Sequence, residues 1–472
     1  MIYDESVLNR SSLPSVIIVG SGPAGVTLAS ALADKGVDSL TLEAGTEGFD
    51  SDIQDVYSGQ VTGDPYFDLD VTRLRMLGGS SNHWQGRCRH LDAIDFETRP
   101  GIPGGAWPIS KTDLDPYLDQ ARALLLRTAT AKERRLSDDM REISYEKGAT
   151  HVNFWDDFKE RFETSPQMHV LPRAAVQHLE AASGRVTRLV LQLPHKEAVL
   201  EPPGVVVLAC GGIENSRLLL WSNVVSPERV VAEPATLGRY WMDHPEHALG
   251  EAHWARQPRS FGDGWFDIAM APTETALRRH GIGNDENFIW YDDATFPVGL
   301  GCRADAPAME RLAARGWPFS CVGQVRTVFE QRPDPENRIA LSDTSRDRFG
   351  VPRAHLHWRK SEADYRTARI GFELLGIHMV QTGLGALRAF DDTVARTPFP
   401  ETTSPGGNHH LGGTRMSQSP STGIVDRHNK VHGSTNLYVA GSSVFPSGGH
   451  VNPTFSIVQL SMRLADHLAQ SQ

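Results

Sequence analysis

The chain has 472 residues and a mass of 51.9 kDa, which predicts three domains of ordinary size or one large two-domain protein. Hydrophobic residues make up 39% of the sequence and charged residues 22%, as is usual for soluble globular proteins. Lys and Arg number 47 against 58 Asp and Glu, so the net charge is −11. A chain of this charge, without a basic stripe, is not expected to bind nucleic acid.

The cysteines and the N-terminus bear on the compartment. Cys88, Cys210, Cys302 and Cys321 form no C-x-x-C pair, so neither a zinc ribbon nor a disulfide scaffold is predicted, and no metal is expected. The N-terminus is polar and partly acidic, unlike a signal peptide. No apolar run approaches the ~20 residues that span a bilayer. We therefore expect a soluble, cytoplasmic protein with reduced thiols and no membrane partner.

Residues 15–45 predict a βαβ unit. The run VIIV is β-branched throughout, which is typical of a strand buried on both faces. Gly20, Gly22 and Gly25 then form a G-x-G-x-x-G motif that opens an Ala- and Leu-rich helix, and the next strand ends at Glu43. In that context the glycines predict a dinucleotide pyrophosphate at the helix N-terminus, and the carboxylate can accept hydrogen bonds from ribose hydroxyls. The motif does not separate FAD from NAD.

The pattern becomes less regular further along the chain. The stretch RLRMLGGSSNHWQGRCRH, residues 73–90, is too irregular for a regular element. Alternation in parts of residues 250–400 favours antiparallel sheet. Helices are predicted at 114–126, 215–221 and about 455–469, and strands at 185–193, within 204–212 and at 436–440.

Two histidines and an asparagine near the end of the chain have the chemistry of a proton-transfer site. His409 and His410 precede a Gly-Gly turn, and Asn452 precedes the last predicted helix. A neutral imidazole beside a carboxamide can take a proton from a hydroxyl group while the amide holds the oxygen. This arrangement suits the oxidation of an alcohol, in which the oxygen loses a proton and the carbon loses a hydride.

Several motifs together resemble the glucose–methanol–choline (GMC) oxidoreductases. They are VIIVGSGPAG…LEAG, LGGSSNHW, NHHLGGTRM and GSSVFPSGGHVNPTFSI, with WPI, GGIENSRLLL and MDHP between them. They occur in order from residue 15 to the last helix. The motifs are most similar to those of pyranose oxidases and bacterial sugar and glycoside oxidoreductases.

The resemblance implies an α/β fold (α+β overall), in which a Rossmann-like FAD-binding domain is interwoven with a substrate domain built on an antiparallel sheet. The expected FAD-binding domain is discontinuous, comprising 1–95, 165–250 and 400–472. Residues 96–164 are expected to form a helical connecting segment, and 251–399 the substrate-binding domain.

The resemblance also implies which residues hold the cofactor, FAD. The expected set is Gly20, Ser21, Gly22, Gly25, Glu43, Gly78, Gly79, Ser80, Asn82, His83, Trp84, Val176, Ala209, Gly211, Gly441, Ser442, Asn452, Pro453 and Thr454. His83 occupies the place at which pyranose oxidases attach FAD covalently, but noncovalent binding is the favoured expectation here.

The sequence leaves the identity of the base open. Counting back from Arg415-Met416 gives His409 the family's catalytic position, whereas counting forward through H-x-G-G-T gives it to His410. We favour His409, with the neighbouring histidine close by. Asn452 is expected to orient the substrate oxygen, and His450 to form a pocket wall that can hydrogen-bond to the substrate.

The expected activity is oxidation of a hydroxyl group on a small polyol: a sugar, glycoside, cyclitol or aminosugar-containing natural product. The histidine takes the proton and flavin N5 takes the hydride, before oxygen or another acceptor reoxidises the flavin. The negative charge gives weak support to a cationic aminoglycoside. Three alternatives remain: a GMC-fold lyase that uses FAD structurally, an NAD-dependent dehydrogenase, and an FAD-binding scaffold without chemistry.

Overall fold

The computed structural model describes residues 1–9, 12–128, 130–146, 148, 150–255, 268–290, 316, 321–390 and 405–471. The α-helices in these ranges are Pro23–Ala33, Ser51–Gln54, Leu118–Leu124, Lys159–Thr164, Gly211–Val225, Glu274–His280, Glu362–Gln381 and Thr454–Gln470. None of these helices is both long enough and apolar enough to cross a membrane.

Five strands form a parallel sheet. Their order across the sheet is Leu437–Val439, Val205–Leu208, Val16–Val19, Ser39–Leu42 and Met168–Leu171. The central VIIV strand is fully buried, as expected for a parallel strand covered on both faces. Because its neighbours come from distant parts of the sequence, the sheet is assembled from widely separated segments.

The helix after the first strand packs against the last helix of the chain on one face of the parallel sheet. The first helix contains four Ala residues, whose small side chains favour close packing against the last helix. Apolar side chains of both helices, including Leu28, Leu32, Phe455 and Leu464, belong to one buried cluster with Val16. The two ends of the chain therefore share a core.

A second sheet has seven strands. Their order is Gly385–Ala389, Glu246–Trp254, Cys321–Phe329, Asp285–Trp290, Ile268–Pro272, Met140–Ser144 and Glu133–Arg135, and all pairings are antiparallel. The helix Glu362–Gln381 packs on this sheet through an apolar cluster that includes Phe372 and Leu375. The α/β fold with an additional antiparallel sheet is confirmed.

Residues 96–164, expected to be a helical connection, contribute two strands to the seven-stranded sheet. Met140–Ser144 is buried along its whole length although it contains Arg141 and Glu142. The Arg141 guanidinium lies 2.6 Å from the Asp92 carboxylate, and Arg134 pairs with Glu142. Because it contains charged residues, this segment does not show the hydrophobic pattern of a buried strand. The charges can be buried only because they pair with residues elsewhere in the chain. The domain boundaries stay a prediction.

Two three-stranded sheets complete the described part of the fold. One consists of Arg338–Arg346, Pro352–Trp358 and Gln60–Gly63, and the other of Ala175–Ala182, Arg185–Gln192 and Glu197–Leu200. The helix predicted at 114–126 is shorter, Leu118–Leu124, and two 3₁₀ turns precede it. Pro116 lies in the second of these turns and has no N–H to donate to a longer helix.

Candidate active site

A cavity of about 480 Å³ lies between the parallel sheet and the seven-stranded sheet. The loops after the parallel strands contribute Gly20, Glu43, Ala209 and Gly441 to its wall, and the seven-stranded sheet contributes Glu246, Glu286, Phe288 and Val328. The carboxyl ends of parallel strands are where ligands bind in open α/β sheets. One cavity therefore joins the predicted nucleotide site to the predicted chemical site.

The three glycines of the first loop have different tasks. Gly20 has a φ of +103°, and a Cβ there would lie 2.6 Å from the Ala209 carbonyl oxygen. A Cβ on Gly25 would lie 2.0 Å from the Gly20 carbonyl oxygen, so the helix packs on the loop only without a side chain. A Cβ on Gly22 would meet nothing within 4 Å. Gly20 and Gly25 shape the loop, and Gly22 leaves its backbone open to a ligand.

Glu43 is held in place at the edge of the cavity. One carboxylate oxygen accepts hydrogen bonds from the Ser21 N–H (2.9 Å) and hydroxyl (2.7 Å), and the other accepts one from the Gly45 N–H (2.8 Å). An ionised carboxylate has about four acceptor positions. About one remains for a ligand hydroxyl, so Glu43 also fastens the glycine loop to the second strand.

A second glycine turn packs against the first loop. Gly78 and Gly79 both have positive φ, and a Cβ on Gly79 would lie 3.0 Å from the Gly22 Cα. The Asn82 amide donates to the carbonyl oxygens of Leu77 (2.9 Å) and Gly79 (2.8 Å). Asn82 therefore stabilises this turn, which brings Gly79 and the residues after it to the cavity.

Most of the residues predicted to bind FAD line the cavity. They are Gly20, Ser21, Gly22, Glu43, Gly79, Ser80, His83, Trp84, Ala209, Gly211, Gly441, Ser442, Asn452, Pro453 and Thr454. The predicted residues outside its lining are Gly25, Gly78, Asn82 and Val176. Val176 lies on the strand Ala175–Ala182, paired with Leu191, and its contact with the adenine stays a prediction.

His409 and Asn452 form a hydrogen-bonded pair in the cavity wall. The Asn452 side-chain amide nitrogen lies 2.9 Å from His409 Nε2. Asn452 precedes Pro453, the N-cap of the last helix, and a proline disfavours helical backbone at the residue before it. The helix start and the histidine loop thus bring together two residues that are 43 positions apart.

The other ring nitrogen of His409 contacts a third histidine. His409 Nδ1 lies 2.8 Å from His244 Nδ1, so one of these nitrogens carries the proton. Because the Asn452 amide donates to Nε2 of His409, Nδ1 of His409 is the donor and Nδ1 of His244 the acceptor. This assignment, made from the hydrogen-bond network, makes Nε2 of His409 the unprotonated nitrogen, and its lone pair accepts the hydrogen bond from Asn452.

Asp243 fixes the backbone of both histidines. Its Oδ1 accepts hydrogen bonds from the N–H groups of His409 (2.8 Å) and His244 (2.7 Å), and the Tyr66 hydroxyl donates to Oδ2. Burial raises the pKa of Asp243 above its ordinary value, and these hydrogen bonds oppose that effect. The two loops are therefore joined at a buried carboxylate.

His410 has different surroundings. It is 8% exposed, and its ring packs against Trp241 with 5.6 Å between ring centroids. The Ser442 hydroxyl donates to its backbone carbonyl (2.6 Å), and within the described ranges its Nε2 has no hydrogen-bond partner. His410 lines the cavity without contacting Asn452, so the geometry supports His409 as the base.

His409, His244 and His410 are neutral at pH 7. Burial, followed by the nearby Arg87 guanidinium, lowers the pKa of His409 to about 4. Burial, followed by His409, lowers the pKa of His244 to about 3, and burial and Arg73 lower that of His410 to about 3. A neutral imidazole can accept a proton, and His409 stays neutral well into the acid range.

His450 is positively charged. Burial disfavours that charge, but Asp92 and Glu286 outweigh burial and raise the pKa of His450 to about 9. Its Nδ1 lies 3.1 Å from Glu286 and its Nε2 lies 3.5 Å from Asp92. His450 forms a wall of the cavity as predicted, but both ring nitrogens face carboxylates, so a hydrogen bond to the substrate stays a prediction.

Sequence reasoning did not single out two residues of the cavity wall, His244 and Arg87. His244 belongs to the MDHP segment, and Arg87 to the irregular stretch at 73–90. No pattern in the sequence indicated that Arg87 lies near His409.

The sheet end of the cavity fits FAD. The backbones of Gly22 and Gly211 face open space, and Gly20–Ala24 leads into the N-terminus of a helix, where a pyrophosphate binds favourably. His83, Trp84 and Thr454 line the same cavity as His409 and Asn452. In the described part of the chain, no group of His, Cys, Asp or Glu is arranged to hold a metal ion.

Two family models match this chain. Residues 333–461 match the model described as GMC oxidoreductase, and residues 14–50 match the model described as FAD binding domain. The first range contains His409, His410, His450 and Asn452, and the second contains the glycine loop and Glu43.

Several characterised proteins are similar in sequence. The fructose dehydrogenase large subunit of Gluconobacter japonicus is 26% identical over 63% of this chain and 53% of its own length. Paromamine 6'-oxidase of Streptomyces fradiae is 26% identical over 56% of this chain and 45% of its own length. The chain thus spans about half the length of these two. The 2-methyl-1,2-propanediol dehydrogenase of Mycolicibacterium austroafricanum is 23% identical over 96% of this chain and 95% of its own length.

Solved structures share the fold. Pyridoxine 4-oxidase from Mesorbium loti superposes with a TM-score of 0.57 and 16% identity, covering 96% of this chain and 98% of its own. An FAD-dependent oxidoreductase from Chaetomium thermophilum gives a TM-score of 0.61 and 14% identity, covering 97% and 99%. At these identities the likeness concerns the fold alone.

Proposed function

We propose that this chain, which matches the GMC oxidoreductase and FAD binding domain models, is an FAD-dependent enzyme that oxidises a hydroxyl group of a sugar, glycoside, cyclitol or related polyol to the carbonyl. The observation that carries this proposal is the pair of His409 and Asn452, 2.9 Å apart in the wall of the cavity that begins at the glycine loop.

His409 Nε2 accepts the hydroxyl proton, and the Asn452 amide orients the oxygen that loses it. His244 accepts the hydrogen bond from His409 Nδ1 and so keeps the proton off Nε2, where the substrate hydroxyl takes the place of the Asn452 amide. Bound FAD would supply the acceptor for the hydride that leaves the carbinol carbon. The protein contributes position and proton transfer, and the buried cavity limits the access of water.

The substrate class rests on the relatives. Fructose dehydrogenase, paromamine 6'-oxidase and the propanediol dehydrogenase are named for substrates that carry several hydroxyl groups. We extend only that shared feature to this chain. The carbon that is oxidised follows from how the substrate lies against His409.

The electron acceptor and the compartment belong to the same proposal. Either oxygen or another oxidant regenerates the cofactor, and the enzyme works in the cytoplasm. The free thiols of Cys88 and Cys210 in the described structure are consistent with a reducing compartment. Fractionation of cells with an antibody against the chain tests the location.

Anaerobic mixing of the purified yellow protein with sugars, glycosides, cyclitols and aminoglycosides tests the activity. Bleaching of the flavin band at about 450 nm by one class would support hydride transfer, and readmitted air would test oxygen as the acceptor. Turnover without bleaching would replace this proposal with the lyase. A purified protein without a flavin spectrum would contradict both.

A further inference from the structure

We propose that Arg87 binds a carboxylate group of the substrate, so that the polyol oxidised by this enzyme is a sugar acid rather than a neutral or cationic sugar. The inference rests on the proposed function, since it concerns the same cavity, and it names the substrate class.

The flat face of the Arg87 guanidinium packs against two aromatic rings. Its Cζ lies 3.9 Å from the centre of the Tyr145 ring and 4.1 Å from that of the Phe288 ring. Cation–π contacts use the face of the guanidinium and leave its N–H donors free. Nε and Nη2 are buried, and among the described residues they have no hydrogen-bond partner. Buried donors of this kind call for a partner.

The other arginine in the cavity wall, Arg73, shows what a structural arginine looks like. Its guanidinium contacts the Glu214 carboxylate at 3.3 Å and the Tyr57 carbonyl oxygen at 3.2 Å. Arg73 is thus paired within the protein. Arg87 has no carboxylate within 4.0 Å in the described part of the chain.

The carboxylates on the same side of the cavity already have partners. Glu286 accepts the Tyr145 hydroxyl at 2.5 Å and faces protonated His450. Glu246 lies 3.2 Å from Arg326. The charge of Arg87 therefore remains uncompensated within the described cavity wall, and an incoming anion would neutralise it.

One unpaired guanidinium favours a carboxylate over a phosphate. A carboxylate carries one negative charge and two oxygens that match the guanidinium fork. A phosphate ester carries nearly two charges at pH 7. His450 is engaged by Asp92 and Glu286, so it adds no free positive charge for a dianion.

Arg87 is also close to the base. Its positive charge is the second cause, after burial, of the lowered pKa of His409. A substrate carboxylate on Arg87 would bring a hydroxyl on another carbon of the same molecule within the cavity that His409 lines. It would also offset the charge that weakens the base. An ammonium group at this place would be repelled, which opposes the aminoglycoside expectation drawn from the net charge.

The test compares matched substrates on the anaerobic holoenzyme: glucose, glucosamine, gluconate, glucuronate and glucose 6-phosphate. We expect one of the carboxylates to reduce the flavin with a KM about 10- to 100-fold lower than that of glucose, the usual range for a charge-assisted hydrogen bond. Arg87→Gln should raise the KM for that carboxylate about 10- to 100-fold and so remove the preference, and Arg87→Lys should keep part of it. Arg348→Gln, at an exposed arginine, is the charge-matched control.

A binding measurement covers the case in which no member of the panel is oxidised. Gluconate or glucuronate should perturb the flavin absorption spectrum of the wild type and not that of Arg87→Gln. Absence of both perturbation and reduction by carboxylates would overturn the inference, as would a preference for the phosphate ester or for glucosamine. Reduction by glucose, with a KM for gluconate and glucuronate no lower than that for glucose, would overturn the inference alone and leave the proposed function intact.

Discussion

His409 and His410 are adjacent in the sequence, yet their rings contact different parts of the molecule. His409 lies between Asn452 and His244, and His410 lies against Trp241. Two counts along the same motif gave different bases, because spacing in a glycine-rich turn does not fix which ring contacts Asn452. The hydrogen-bond partners separate the two histidines.

His409→Ala should lower the rate of anaerobic flavin reduction by about 10²- to 10⁴-fold, the range for the loss of a general base, with FAD still bound. His410→Ala is the matched control, and it should retain most of the rate because its ring does not reach Asn452. Stopped-flow measurement at 450 nm checks both variants. If His410→Ala were the slower of the two, the assignment of the base would be wrong.

His244 is proposed to act through His409. In the wild type, the reduction rate should be flat from pH 8 to about pH 5.5, since proton acceptance needs neutral His409 and its pKa is about 4. His244→Phe leaves the His409 Nδ1–H without an acceptor, which should cost about 10- to 100-fold in rate. His244→Asn can restore an acceptor and part of the rate. A His244→Phe enzyme with the wild-type rate and pH profile would refute this role.

At the scale of the element, the first glycine loop combines a fold requirement with a binding requirement. A Cβ on Gly25 would collide with the Gly20 carbonyl oxygen, whereas a Cβ on Gly22 would have no neighbour within 4 Å. The same residue type in one short motif therefore serves two purposes. The surroundings of each Cβ position show which is which.

Gly25→Ala and Gly22→Ala should therefore differ. The first variant should lower the Tm, because its methyl group forces the helix away from the loop at a cost of about 1–3 kcal/mol. The second should fold with nearly the wild-type Tm as apoprotein and bind FAD at least about 10-fold more weakly, since its methyl group enters the space open to the pyrophosphate. Thermal unfolding and FAD titration of the apoprotein measure the two effects. Equal FAD affinity of Gly22→Ala and wild type would contradict the placement of the pyrophosphate.

At the scale of the whole molecule, buried charges join the parts of the chain around the cavity. His450 comes from the loop before the last helix, Glu286 from the seven-stranded sheet, and Asp92 from the loop that follows Arg87. Asp92 also pairs with Arg141 on another strand of that sheet. Removing one member of such a cluster leaves a buried charge without a partner. The cluster therefore holds the loop before the last helix and the loop after Arg87 against the seven-stranded sheet.

The charge on His450 makes stability depend on pH. Its pKa is raised from 6.5 to about 9, so the stabilisation is fully present below pH 6.5 and is lost as the pH rises through 9. The shift corresponds to about 3 kcal/mol. We expect the Tm of the holoenzyme to fall between pH 6.5 and 9.5. His450→Gln should be less stable at pH 6.5 but lack that decline, and His195→Gln, at an exposed histidine, should follow the wild type.

Local patterns were sufficient where a residue's surroundings are set by its near neighbours. The buried VIIV strand, its glycine loop, the second strand up to Glu43 and the last helix, Thr454–Gln470, lie where the sequence predicted them. Strand burial, helix amphipathicity and tight turns leave signals that span only a few residues. The motifs at the two ends of the chain were long enough to indicate the family and the cofactor.

Only the tertiary structure decided the features that depend on residues distant in sequence. The strand Met140–Ser144 is stabilised by a carboxylate about 50 positions away, and the contact between His409 and His244 spans 165 positions. The guanidinium of Arg87 has no carboxylate partner among the described residues because the carboxylates near the cavity pair with other groups. Hydrogen bonds and ion pairs act through space at a few ångströms, so their partners are set by how the two sheets meet and not by spacing along the chain.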